Sequence, residues 1–166
     1  MSAWILLLMI GLQPSAPWRD TYATTANAIA RAAEAEPLFA GEDGPARTAA
    51  LLVSVAWFEG RYDPNAHNAK DPGGGSFGMF QSSRKPIASV DDQVKHALAA
   101  LRVSFRECAS RRSQDWVALY ASGSCTNVGG QLASRRRMGL AQRIFHDHPP
   151  PSRDVFPDLS AANVPD

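Results

Sequence analysis

One run limits this chain more than any other. From Ala49 to Glu59 the sequence reads AALLVSVAWFE, apolar on nearly every side until it meets a carboxylate. A helix with apolar residues all round has no face to offer water, so it belongs at the centre of a packed domain. Pro45 suits the first turn of such a helix, where its missing N–H costs nothing. The 166 residues, 45% of them hydrophobic, suffice for one core and not for two independent domains.

Other helices can be placed around it. The alanine-rich TTANAIARAAEA, Thr24 to Ala35, favours a helix closed by Pro37. A further helix begins near Asp91 or Asp92, whose carboxylates suit a helix N-terminus. It sets Val94, Leu98, Leu101, Phe105 and Cys108 on one stripe, expected to pack on the central helix. DWVALYASG reads as a short helix ended by Gly123. LASRRRMGLAQRIF reads as a last one with Leu132, Met138 or Leu140, and Ile144 facing inward. Between Gly60 and Ser83 the composition turns to Gly, Asn, Asp and Pro, a long structured loop of the kind that carries function. No segment shows the alternation of a strand, so the expected class is mainly α.

The ends are read separately. Residues 1–20 hold the apolar stretch Trp4 to Leu12, too short to span a bilayer and similar to the core of a signal peptide. Export to a periplasmic or extracellular location, or membrane association through this segment, is one expectation, although no Lys or Arg precedes it. A buried N-terminal helix is the other. Residues 21–148 form the domain. The polar, proline-rich residues 149–166 bury too little apolar surface to order themselves and are expected to be flexible.

A net charge of +1 argues against nucleic acid or an anionic membrane surface as an electrostatic partner. The arginines of SRRRM, 134–138, read as a solvated helix face. Cys108 and Cys125 fit neither a CxxC pair nor a four-ligand zinc site. A single disulfide is the natural reading, and buried free thiols are the alternative. No zinc, nucleotide or haem motif occurs, and no metal or cofactor is expected. DPGGGSFG lacks the lysine of a phosphate loop.

Glu59 is the residue with most chemistry in it. It shares a helix face with Leu52, Val55 and Ala56, so its side chain leaves from an apolar stripe at a helix C-terminus. Desolvation and the negative end of the helix dipole both disfavour its anion. A carboxyl kept protonated near neutrality can serve as a general acid in glycoside cleavage.

The flanking residues point the same way. EGRYDPNA, Glu59 to Ala66, resembles the glutamate motif of the lytic transglycosylases, shared with goose-type lysozymes. In that motif Glu-Ser is followed by an aromatic residue, a proline and an alanine. GSFGMFQ, Gly75 to Gln81, looks like the second motif, Gly-x-x-Gly-Leu-Met-Gln. ALYASG, Ala118 to Gly123, is similar to the third, Ala-x-Tyr-Asn-Ala-Gly. The motifs occur in family order over Leu51 to Gly123. Gly60, Phe80 and Ala121 depart from the family's serine, methionine and asparagine.

The resemblance implies a lysozyme-like single domain with a groove for peptidoglycan glycan strands; the protein itself is expected to be a monomer. Glu59 would be the catalytic acid, with Ser76 beside it. Met79 and Gln81 would line the groove, and Tyr120 would orient the glutamate or the sugar, although Met79 and Tyr120 serve equally well in a core. It further implies attack by the muramyl 6-hydroxyl and a 1,6-anhydro product, for which one carboxylate suffices. A goose-type hydrolase would need a second carboxylate to activate water, for which Asp63 and Asp71 are available. A non-catalytic glycan-binding module of a phage particle or secretion apparatus is the alternative outside enzymology.

Overall fold

A computed structural model describes residues 1–70 and 75–151. The 149–166 tail expected to be flexible falls almost wholly outside this range, as does Asp71. The described residues form α1 (Ser2–Leu12), α2 (Tyr22–Ala35), α3 (Gly44–Gly60), α4 (Val90–Glu107), α5 (Ala118–Ser122) and α6 (Val128–Asp147). A small antiparallel hairpin, β1 (His67–Asn68) and β2 (Ser76–Phe77), pairs His67 with Phe77 and Asn68 with Ser76. The class is mainly α, as its periodicities require.

The centre is α3. Every residue from Thr48 to Ala56 on it is buried, and Leu51, Leu52, Val53 and Val55 are wholly enclosed. Each such aliphatic side chain contributes roughly 1.5–3 kcal/mol on leaving water. The sheath around α3 consists of α1, α2 and α6. The expected packing of α4 on the central helix is corrected: α4 lies chiefly on α2 and α5, because α3 is already covered. Its apolar stripe is nevertheless the expected one, with Val94, Leu98, Leu101 and Cys108 buried and Phe105 packed against the core. Ser89 caps its start by accepting from the Asp92 N–H at 3.0 Å.

The apolar N-terminal segment is a working part of the core. Trp4, Ile5, Leu8 and Met9 of α1 are buried among α2 and α3. The Trp4 indole donates to the His148 carbonyl at 2.7 Å, tying the start of the described chain to the end of α6. The Tyr22 hydroxyl donates to the Gln13 carbonyl at 3.0 Å and so holds the connection from α1 to α2. Among the described residues no helix is long and apolar enough to cross a membrane.

The register of α6 differs from the expected one. Its buried stripe is Gly130, Ser134, Arg137, Met138, Ala141 and Ile144. Met138 and Ile144 face inward as expected, whereas Leu132 is 51% exposed. Spacings of three and four residues link the buried positions, and Leu132 falls between them. Arg137, read from sequence as part of a solvated face, is 9% exposed and points inward.

Candidate active site

The end of α3 and the hairpin are built as one unit. The helix stops because Arg61 and Tyr62 adopt left-handed backbone, φ 51° and 64°, a conformation that costs a residue with a Cβ on the order of 1–2 kcal/mol. Packing holds it there. The Tyr62 ring is fully buried and meets Tyr22 edge-on at 5.5 Å, and the Arg61 guanidinium lies 3.7 Å over Trp57. Among the described residues Gln81 is the third non-glycine residue with positive φ, at 49°. Of the three, Gln81 lines the groove of the candidate site, and retained backbone strain of this kind clusters at functional sites.

Gly60 shows how close the two parts come. A Cβ built there would lie 2.7 Å from the Met79 Cα and 2.8 Å from its carbonyl oxygen. A side chain at this position is therefore excluded on steric grounds, since the backbone of Met79 occupies that space. On the far side the buried Gln93 of α4 holds the segments flanking the hairpin through three backbone groups. Its Oε1 accepts from the Met79 N–H at 3.0 Å, and its Nε2 donates to the carbonyls of Pro64 at 2.9 Å and Ile87 at 3.0 Å. Gly78, with φ 80°, leaves the space that the Gln93 amide fills. Nothing in its sequence context marks Gln93 as this clamp.

The groove is open and measures about 850 Å³. Glu59, Ser76, Gln81 and Tyr120 all line it, so residues from the three motifs meet on one surface. Asn68, Ser82 and Arg84 join them without having been singled out in the sequence. Met79 does not line it: its side chain is fully buried beneath the hairpin, where its backbone packs on Gly60. Phe80 is likewise buried. Ser76 Oγ donates to Gln81 Oε1 at 2.7 Å, and Gln81 Nε2 donates to the carbonyls of Gly78 at 2.7 Å and Ala66 at 3.2 Å. The glutamine amide thus braces the hairpin while one edge of the residue borders the groove.

Tyr120 donates its phenolic proton to the Phe80 carbonyl, joining α5 to the segment after β2. Burial around the phenol holds its pKa well above the ordinary tyrosine value, and the nearby Glu59 carboxylate pushes it further up. Arg137 and a hydrogen bond with Ser82 act in the opposite direction. Tyr120 is therefore a neutral donor throughout the physiological range. Asp63, by contrast, accepts from the Asn65 N–H at 2.8 Å in a local turn and does not line the groove.

Glu59 has a partner that the sequence reading did not supply. Its Oε1 accepts from Arg137 Nε at 2.9 Å and from Nη2 at 2.6 Å. The two side chains are only 17% and 10% exposed. Arg137 is itself held, since Nη1 donates to the Ala133 carbonyl at 2.8 Å and the Arg137 carbonyl accepts from Ser54 Oγ on α3 at 2.8 Å. The inward stripe of α6 was the available signal, because Arg137 lies between Ser134 and Met138 on that face; its pairing with a residue 78 positions away was not.

Cys108 and Cys125 form a disulfide, with Cα atoms 5.5 Å apart. It joins the end of α4 to the turn before α6 and encloses α5, which carries Tyr120. Among the described residues no group of three or more His, Cys, Asp or Glu side chains could hold a metal ion. No family model matches the chain, and neither a curated protein nor a solved structure does.

Proposed function

We propose that this protein is a peptidoglycan lytic transglycosylase, a lysozyme-like exported enzyme that cleaves the β-1,4 bond between N-acetylmuramic acid and N-acetylglucosamine. The observation that carries the reading is the meeting of Glu59, Ser76, Gln81 and Tyr120 around one groove, at the end of a buried helix. In the reaction the Glu59 carboxyl protonates the glycosidic oxygen as the C1–O bond breaks. The carboxylate then takes the proton of the muramyl 6-hydroxyl as that oxygen bonds to C1, which restores the acid and gives a 1,6-anhydro ring. Among the described residues lining the groove, the one carboxylate is that of Glu59, which suits a mechanism with a single acid and base. Ser76, Asn68 and Ser82 offer hydroxyl and amide groups of the kind that bind sugar hydroxyls and acetamido groups. The disulfide is in keeping with an oxidising, exported location.

Purified peptidoglycan digested with the wild type and with Glu59→Gln tests this. The wild type is expected to release muropeptides one water lighter than the corresponding reducing-end species, Glu59→Gln to release none, and Asp63→Asn to keep most activity. Hydrated reducing ends would indicate a goose-type hydrolase instead. A second reading, a glycan-binding module without turnover, is favoured by the ion pair between Glu59 and Arg137, which opposes the protonated state a general acid needs. Peptidoglycan retention with no soluble product from the wild type would select it.

A further inference from the structure

Arg137 lies outside the motifs that suggest the activity, and the geometry of its ion pair with Glu59 says more than that two charges meet. Both donors of Arg137 converge on one oxygen of Glu59, Oε1, at 2.9 and 2.6 Å. The guanidinium cannot easily swing away. Its third nitrogen is fixed to the Ala133 carbonyl, its own backbone carbonyl is bonded by Ser54 from the central helix, and the residue is 9% exposed. The Phe58 ring lies beside it, with its centroid 5.4 Å from the guanidinium carbon. An arginine stays charged at every pH of interest and, held this way, is a permanent cation beside the carboxylate.

We infer that Arg137 is a positioning residue that fixes the Glu59 carboxylate toward the groove and sets the pH range over which it can carry a proton. The inference rests on the transglycosylase reading for its catalytic meaning, and on geometry alone for its effect on Glu59. A cation at this distance stabilises the carboxylate that remains once Glu59 has given up its proton. It thereby makes Glu59 a stronger acid in the bond-breaking step and confines the protonated form to lower pH. Desolvation at the end of α3 works the other way. The other charged and titratable groups facing this region are few among the described residues. Tyr120 of α5 is a neutral phenol, Arg84 lines the groove after β2, and His96 of α4 contacts Ser82 at 3.1 Å. On α3's own end, Arg61 is stacked on Trp57.

The test reads Glu59 directly, by carboxyl-carbon NMR titration of the glutamate in the wild type, Arg137→Gln and Arg137→Lys. Glu59→Gln identifies the resonance. In Arg137→Gln the midpoint is expected to rise by at least about one pH unit, and in Arg137→Lys, which keeps the cation, to stay near the wild type. If the enzyme turns over peptidoglycan, the alkaline limb of its rate profile moves in Arg137→Gln by the same amount and in the same direction. A midpoint in folded Arg137→Gln that coincides with the wild type overturns the inference. Should Arg137→Gln fail to fold, the double variant Glu59→Gln/Arg137→Gln decides. Folding of the double variant shows that the cation is needed because of the buried charge, whereas failure of both shows a packing role only and overturns the inference. A shifted midpoint in a protein with no activity leaves the inference standing and removes the transglycosylase reading. Activity with an unshifted midpoint does the reverse.

Discussion

Glu59 and Gly60 are adjacent, and their neighbours constrain them in opposite ways. Glu59 is defined by a charge delivered from another helix, Gly60 by an absence of room. A side chain at Gly60 would meet the Met79 backbone 2.7 Å away, and backbone, unlike the end of a flexible side chain, gives way only by moving the hairpin. Gly60→Ser is therefore expected to lower stability by about 2 kcal/mol, as overpacking of a tight site does. Because Met79 lies on the segment between Ser76 and Gln81, activity on peptidoglycan should fall with it. Urea unfolding followed by circular dichroism measures the first effect. A variant as stable as the wild type would show that the hairpin is free to retreat.

Among the elements, α1 and α6 are coupled across the whole described chain. The burial of Trp4, Ile5, Leu8 and Met9 makes α1 one of the three helices that cover α3, and the indole bond to His148 makes α6 its neighbour. Trp4 is 7% exposed, so Trp4→Ala removes most of an aromatic packing surface together with a hydrogen bond. The expected loss is about 3 kcal/mol in chemical denaturation. A change below experimental error would place α1 outside the cooperative unit. The apolar run of α1 was readable in the sequence, but its use was not, because a signal segment and a buried helix draw on the same residues. The α6 register was missed for a related reason. Leu132 is more apolar than Arg137, yet Arg137 is the one turned inward, because a carboxylate waits for it at the end of α3.

In the molecule as a whole, the groove is assembled from segments that only long-range closure brings together. The disulfide is one such closure. With Cys108 and Cys125 separated by 17 positions, the chain-entropy argument assigns it ~3 kcal/mol. Cys108→Ser/Cys125→Ser should lose about that much in urea unfolding, and the α5 segment bearing Tyr120 should lose amide-exchange protection before the central helix does. Equal protection in both proteins would mean that the Tyr120 bonds to the Phe80 carbonyl and Ser104 Oγ, with packing on α4 and α6, hold α5 without the disulfide. The central helix, the helical stripe of α4, the short helix ended by Gly123 and the cysteine pair could all be read along the chain, because each follows from local spacing or from having a single available partner. The two-residue strands could not, being too short to leave a pattern. Nor could the Gln93 clamp, the burial of Met79 under the hairpin, or the guanidinium on Glu59. Local periodicity governs which faces turn inward, but burial makes polar groups find partners wherever packing places them, and the partners of Glu59 and Met79 lie on α6 and α4, far along the chain.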